Sequence, residues 1–258
     1  LDIKDANYYI QMGEAMEKFA IETSMAKVFG SDTSHIVIDE GLQILGGYGF
    51  LEEYPLAGAY RDDRINQIWE GTNEVNRQII SGFMMKKALM EELPIREAIR
   101  EIDAFMSNGE LDLNNQILST ECQTIEIAKR FVLFIFNEAL CKYGQDLKHE
   151  QQLTEIFADN FMDIYTAEST VVRARKIMAS NSPEPTVVDI AKVFTAEMAN
   201  RFISQLHTAI SAICDGKPSV LIDQKINEFE SRIRLSTNVI GLKRNIANHV
   251  YKKNRYPY

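Results

Sequence analysis

The sequence predicts an all-α protein in two helical parts, and three observations carry that prediction. Apolar residues recur at spacings of three and four along most of the chain, the mark of amphipathic helices. Strand-like alternation is essentially absent. Glycine is unevenly divided, with nine of thirteen in the first 82 residues, so a backbone of tight turns and close approaches gives way to long, plain helices.

Taken in order, Met12, Met16, Phe19 and Thr23 mark the packed face of a first helix. Ser31 and Asp32 are expected to cap a second, which runs through Val37 and Gly41 to Leu45 and stops at Gly46-Gly47-Tyr48-Gly49. A loop with Tyr54-Pro55 follows, and the pattern from Tyr60 to Glu70 fits no single element. Gly71-Thr72 then opens a helix with Val75, Ile79 and Phe83 on one face. Pro94 and the polar stretch Ser107 to Asn115 mark a boundary, giving an expected first domain over residues 1–93 and a second over 94–258.

Four apolar stripes fill the second part. Ile125, Ala128, Val132, Ile135, Ala139 and Tyr143 make the first; Leu153, Phe157, Phe161, Ile164 and Val171 the second. Val188, Ala191, Phe194, Met198, Phe202 and Leu206 make the third, and after the turn Asp215-Gly216-Lys217-Pro218 come Ile222, Ile226, Phe229, Ile233 and Ile240. Four amphipathic helices on short connections predict an antiparallel bundle.

Composition narrows the function. With 28 basic and 37 acidic residues the formal charge is −9, which argues against a nucleic-acid binder. The longest apolar run, Phe131 to Phe136, is about a third of the ~18 residues a membrane span needs. Cys122, Cys141 and Cys214 lack the spacing of a disulfide framework or a zinc site, and the four histidines form no metal motif. The chain opens at Leu1 already in helix-like sequence and reads as a piece of a longer protein. From Ser231 onward the only charges are basic: Arg232, Arg234, Lys243, Arg244, Lys252, Lys253 and Arg255.

Chemistry concentrates in Gln43-Ile44-Leu45-Gly46-Gly47 and Trp69-Glu70-Gly71-Thr72-Asn73-Glu74. Read alone, the glycine pair is a helix stop, Thr72 an N-cap and Glu74 a first-turn carboxylate favoured by the helix dipole. Glu70 stands just outside that helix, between an apolar Trp69 and a permissive Gly71. Partial desolvation there would raise a carboxyl toward the range of a general base. The free N–H groups opening the same helix suit an anionic or polar ligand.

The stretch from Gln43 to Ile80, QILGGYGFLEEYPLAGAYRDDRINQIWEGTNEVNRQII, strongly resembles the acyl-CoA dehydrogenase family. It follows that family's signature of Q-I-x-G-G-x-G-aromatic, then Y-P, then R-D, then I-aromatic-E-G-T. Ile21 to Phe29 is similar to the helix that precedes this motif, and the resemblance covers Leu1 to about Met90. Ile95 to Tyr258 resembles the additional C-terminal helical domain of the very-long-chain branch.

The resemblance implies α,β-dehydrogenation of an acyl-CoA thioester with FAD as cofactor. Glu70 aligns with the base that removes the α proton, and Gly71 with a substrate contact. Trp69 stands where a Tyr or Phe is commoner, so it would shape the substrate pocket. Gln43, Ile44, Leu45, Gly46 and Gly47 align with a segment reaching a flavin in the neighbouring subunit, and Thr72, Asn73 and Glu74 with further flavin contacts. Arg61, Asp62 and Arg77 also match and read as structural ion-pairing residues. The family's N-terminal helical and middle β domains are absent from this sequence, so the piece alone is expected to be inactive. Electron-transfer flavoprotein as acceptor, a homodimer, and a bacterial cytoplasmic or mitochondrial matrix location follow from the same resemblance. Two other readings stand beside it: an assembly or docking module whose basic tail meets an anionic membrane surface, and an acyl-CoA oxidase.

Overall fold

A computed structural model describes residues 6–108, 116–233 and 235–255. The described residues contain helices, turns and bends but no strand, and no helix among them is long and apolar enough to cross a membrane. The chain divides between Leu93 and Pro94 into two compact units. Most of the polar stretch expected at the boundary, residues 109–115, lies outside the described residues.

The first unit comprises α1 (Ala6–Lys18), α2 (Ala20–Leu45), α3 (Gly47–Phe50), α4 (Pro55–Arg64), a 3-10 turn (Ile65–Gln67) and α5 (Asn73–Leu89). The segment that matched no single pattern is thus the end of a helix that tightens into a 3-10 turn. The 26-residue α2 is its axis, packing on α4 and α5. Ile21, Ser24, Met25, Val28 and Ser31 are its buried stripe, and Ile80 of α5 is fully enclosed.

Three expectations need correction here. Ser31 and Asp32 lie inside α2 and do not cap it, because the helix begins eleven residues earlier, at Ala20. Met12, Met16 and Phe19 are exposed; α1 meets α5 through an ion pair between Glu17 and Lys86 at 2.8 Å. The packed edge of α5 is Asn73, Asn76, Ile80 and Ser81, while Val75 faces out. The stretch of α2 that faces the head of α5, around Ser31 and Asp32, is itself polar, so no apolar stripe marks that part of the contact.

The second unit comprises α6 (Ile95–Arg100), α7 (Ile102–Asn108), α8 (Ser119–Tyr143), a 3-10 segment (Gly144–His149), α9 (Gln151–Met178), α10 (Thr186–Ile213), α11 (Val220–Ile233) and α12 (Val239–Lys253). Cross-helix contacts fix the directions. Lys129 reaches Glu168 at 2.6 Å while Phe136 sits edge-on to Phe157 at 5.0 Å, so α8 and α9 are antiparallel. Phe131 meets Phe202 at 6.1 Å and Lys142 meets Asp215 at 3.0 Å, so α10 runs with α8. The core is aromatic: Phe131 stacks on Phe229 with centroids 4.7 Å apart, and Phe136, Phe157 and Phe202 are fully enclosed. A charge that enters this layer at Asp163 is paired. Burial pushes the Asp163 carboxyl up, and Arg201 answers it at 2.8 Å.

The first three stripes coincide with α8, α9 and α10. The fourth is two helices. Residues 235–238 interrupt it, the Asn238 side chain caps α12 by accepting from the Gly241 N–H at 3.0 Å, and Ile240 is 67% exposed. α11 packs on α8 through Phe229 and touches α10 where His207 pairs with Glu230, while α12 runs back along α10, with Lys243 on Glu197 at 2.5 Å and His249 on Glu184 at 3.1 Å. Part of the basic tail is thereby matched to acidic partners; Arg234 lies outside the described residues.

Phe136→Ala, which empties space between two other rings, is expected to destabilise the second unit by about 3–5 kcal/mol. Guanidinium unfolding curves compared at constant slope would read this directly.

Candidate functional site

The loop that carries Glu70 joins the 3-10 turn to α5, and its backbone is unusual. Glu70 has φ 54° and Gly71 has φ 79°, two consecutive residues in the left-handed region. Glycine takes that conformation freely, whereas for glutamate it costs on the order of 1 kcal/mol. The loop ends at Thr72, whose hydroxyl accepts from the Val75 N–H at 3.3 Å and so caps α5.

Polar side chains of α2 hold this loop. The Lys27 ammonium donates to the Gly71 carbonyl at 2.8 Å and to Asn73 Oδ1 at 2.6 Å. Asn76 donates to the same Gly71 carbonyl at 2.8 Å from the other side, out of α5. Asp32 accepts from Asn73 at 2.7 Å, from Gln67 at 3.0 Å and from Arg77 at 3.0 Å. One turn along α2, the Ser34 hydroxyl donates to Asp63 at 2.6 Å, Asn66 donates to the same oxygen at 3.3 Å, and His35 Nδ1 lies 3.3 Å from the other. The Ser34 hydroxyl, with help from Asn66 and His35, holds the buried Asp63 carboxyl below its ordinary range.

The expected site residues fall in two places. Trp69, Glu70, Gly71, Thr72, Asn73 and Glu74 are together at the head of α5, whereas Gln43 to Gly47 lie at the C-terminal end of α2. Asp32 and Gln43 share one uninterrupted helix, about 16 Å apart along its axis at 1.5 Å per residue. The apolar shelter expected for Glu70 is not built within this unit, since Glu70 is exposed and Trp69 is 55% exposed. Glu74 is also exposed, and its own N–H, then the Thr72 hydroxyl, hold its carboxyl below the ordinary range.

Asn73, expected at the cofactor, is tied by its side chain to α2. It is only 3% exposed, and its amide is occupied on both sides by Lys27, Ser31 and Asp32. Its side chain serves to join α5 to α2. Of the expected ion-pairing residues, Arg77 lies on Asp32 and Arg61 3.2 Å from Glu52, while Asp62 is exposed and no ion pair reaches it among the described residues. Lys27, Ser31, Asp32 and Asn76 escaped the sequence reading. The signal available was polar side chains at 27, 31, 34 and 35, one helix face with no apolar member.

At the other end of α2, Gly46 has φ 57° and its N–H returns to the Gln43 carbonyl at 3.0 Å, which ends the helix. Ile44 beside it is 82% exposed. Gly49 is needed for close approach, because a Cβ there would lie 2.4 Å from the Leu42 carbonyl oxygen.

Two family models, both described as the acyl-CoA dehydrogenase C-terminal domain, match residues 6–85 and 127–221, and together they span most of the chain. The chain belongs to the acyl-CoA dehydrogenase family. A probable acyl-CoA dehydrogenase of Bacillus subtilis is 33% identical over 99% of the chain and 43% of its own length. The bovine very long-chain specific acyl-CoA dehydrogenase, a mitochondrial protein, is 29% identical over 67% of the chain and 29% of its own length. The crystal structure of an acyl-CoA dehydrogenase complexed with FAD from Bacillus anthracis superposes with a TM-score of 0.86 at 31% identity, over 95% of the chain and 41% of that protein. The chain thus spans less than half the length of these family members.

Two outcomes follow from this geometry. Gly49→Ala is expected to push α3 off α2, at a cost of about 1–3 kcal/mol, seen as a lower thermal midpoint. Because the folded Asp63 carboxyl titrates below its unfolded value, its contribution is complete above the ordinary carboxylate range and is lost as pH falls through the lowered value. Asp63→Asn should therefore flatten the dependence of the urea midpoint on pH in that acidic window.

Proposed function

We propose that this chain is the C-terminal portion of an FAD-dependent acyl-CoA dehydrogenase, which oxidises the α,β bond of fatty acyl-CoA thioesters to 2-enoyl-CoA. Glu70 is the base in this reading. The observation that carries it is the left-handed backbone at Glu70, held at the head of α5 by donors from two helices. Strain of this kind persists where the surroundings over-determine it, and it gathers at working sites.

The α proton of a thioester is weakly acidic, so its removal needs a carboxylate fixed within hydrogen-bond reach. Gly71 follows the base and offers backbone unshielded by a side chain, where the thioester can approach closely. Trp69 supplies an apolar wall on the other flank. The chemistry that FAD supplies when bound is acceptance of the hydride leaving the β carbon. The segment Gln43 to Gly47 suits the border of such a flat, largely apolar ring system: it is exposed, carries Ile44 and Leu45, and holds no charge. We assign it to the flavin of a neighbouring subunit, and the α5 head, with Thr72, Asn73 and Glu74, to the flavin beside Glu70.

Exposed Ile36, Val37, Ile44, Tyr48 and Phe50 on α2 and α3 favour a covered surface and support a homodimer. An electron-transfer flavoprotein fits as the physiological acceptor, in a bacterial cytoplasm or a mitochondrial matrix. The relatives include a butyryl-CoA dehydrogenase of Syntrophomonas wolfei as well as the very-long-chain enzyme, so acyl length is set by residues beyond the shared motif.

The test uses the full-length polypeptide. Anaerobic addition of saturated acyl-CoAs should bleach the flavin absorbance, and the chain-length series identifies the substrate. Glu70→Gln should keep its flavin and lose turnover by about 10²–10⁴-fold. Retained turnover would place the base elsewhere.

A further inference from the structure

We propose that Lys27 is a positioning residue for the base, an inference that rests on Glu70 being that base. The Gly71 carbonyl, one residue beyond Glu70, accepts two hydrogen bonds: from Lys27 on α2 and from Asn76 on α5, each at 2.8 Å. A carbonyl oxygen has two lone pairs, and with both taken the peptide plane after Gly71 has one orientation. That plane closes the two-residue left-handed turn at Glu70 and Gly71. Whatever sets it also sets the direction from which the Glu70 side chain leaves the backbone.

The two donors are not equivalent. Asn76 lies on the helix that the loop itself opens, and it also donates to the Thr72 carbonyl at 3.1 Å, so it travels with the loop. Lys27 comes from 44 residues upstream and ties the loop to the axis of the unit. Its second bond, 2.6 Å to Asn73 Oδ1, fixes the first residue of α5 from the same ammonium. Among the described residues no carboxylate is paired with Lys27, so its charge falls on the loop amides alone. A charged donor gives roughly twice the hydrogen-bond strength of a neutral one, and its reach spans both acceptors. Both of its bonds go to the loop and the head of α5, so its action on the base is through them.

Loss of this tie would let the base swing by a fraction of an ångström to an ångström while the rest of the unit stays folded. A displacement of that size can cost up to about a hundredfold in rate. In the flavin-loaded full-length protein, Lys27→Met is expected to keep its flavin and its thermal midpoint. Its kcat should fall between about tenfold and about a hundredfold, with KM little changed. Exchange of the substrate α proton with solvent deuterium should slow by the same factor, because that exchange reads proton removal alone. Lys27→Arg, which retains a charged donor, should recover most of the loss. Wild-type kcat and exchange in Lys27→Met would overturn the inference. So would parallel losses of flavin, midpoint and activity in both variants, which would make Lys27 a folding residue only. A wild-type protein whose flavin no acyl-CoA bleaches would remove the dehydrogenase reading itself, and this inference with it.

Discussion

Three consecutive pieces of the first unit meet at one carboxylate. Asp32 accepts from Gln67 in the 3-10 turn, from Asn73 at the start of α5 and from Arg77 one turn further on. Charge-assisted bonds of this kind contribute about 1.5–3 kcal/mol each, more than neutral ones. The loop between Gln67 and Asn73 contains a glutamate and a glycine in left-handed conformations, and a free chain would relax them. Anchors on both sides of the loop, together with Lys27 beneath it, remove that freedom. The strained segment is stable because its two ends have nowhere else to go.

The same anchoring explains why α2 has so mixed a face. Ile21, Met25 and Val28 pack as an ordinary apolar stripe, and one turn later the inward positions become Ser31, Asp32, Ser34 and His35. A helix that packs with oil at one end and hydrogen bonds in the middle joins a core to a site. The second unit divides these tasks differently. Its aromatic interior, Phe131 against Phe229 and Phe136 against Phe157, carries the packing. Ion pairs such as Lys129 with Glu168 stand at the margins, where they contribute to register more than to stability.

Legibility in the sequence followed this division. The stripes of α8, α9 and α10 are visible because apolar burial leaves a periodic trace, and Thr72 is readable as a cap because capping needs few residue types. Glu70 was legible through a motif. The polar clamp beneath it was not, since hydrogen-bonded faces have no hydrophobic period; Ser31 and Asp32 therefore looked like a helix start, and Val75 looked buried. The exposed Met12, Met16 and Phe19 show the converse, for an apolar stripe states what a face can do and not what lies over it within these residues. Ile240 continued a stripe in number, but the cap at Asn238 had already turned the chain.

Because α2 runs unbroken from Ala20 to Leu45, it works as a ruler between the Glu70 loop and the glycine segment at its end. Inserting one residue between Asp32 and Gln43 would advance the far end by about 1.5 Å and rotate it by about 100°. The glycine turn would then point away from whatever it meets. Deletions act with the opposite hand. An inserted residue is therefore expected to be tolerated in connections such as the turn after Tyr143 or the one before Pro218, and not in the interval from Lys27 to Gly49.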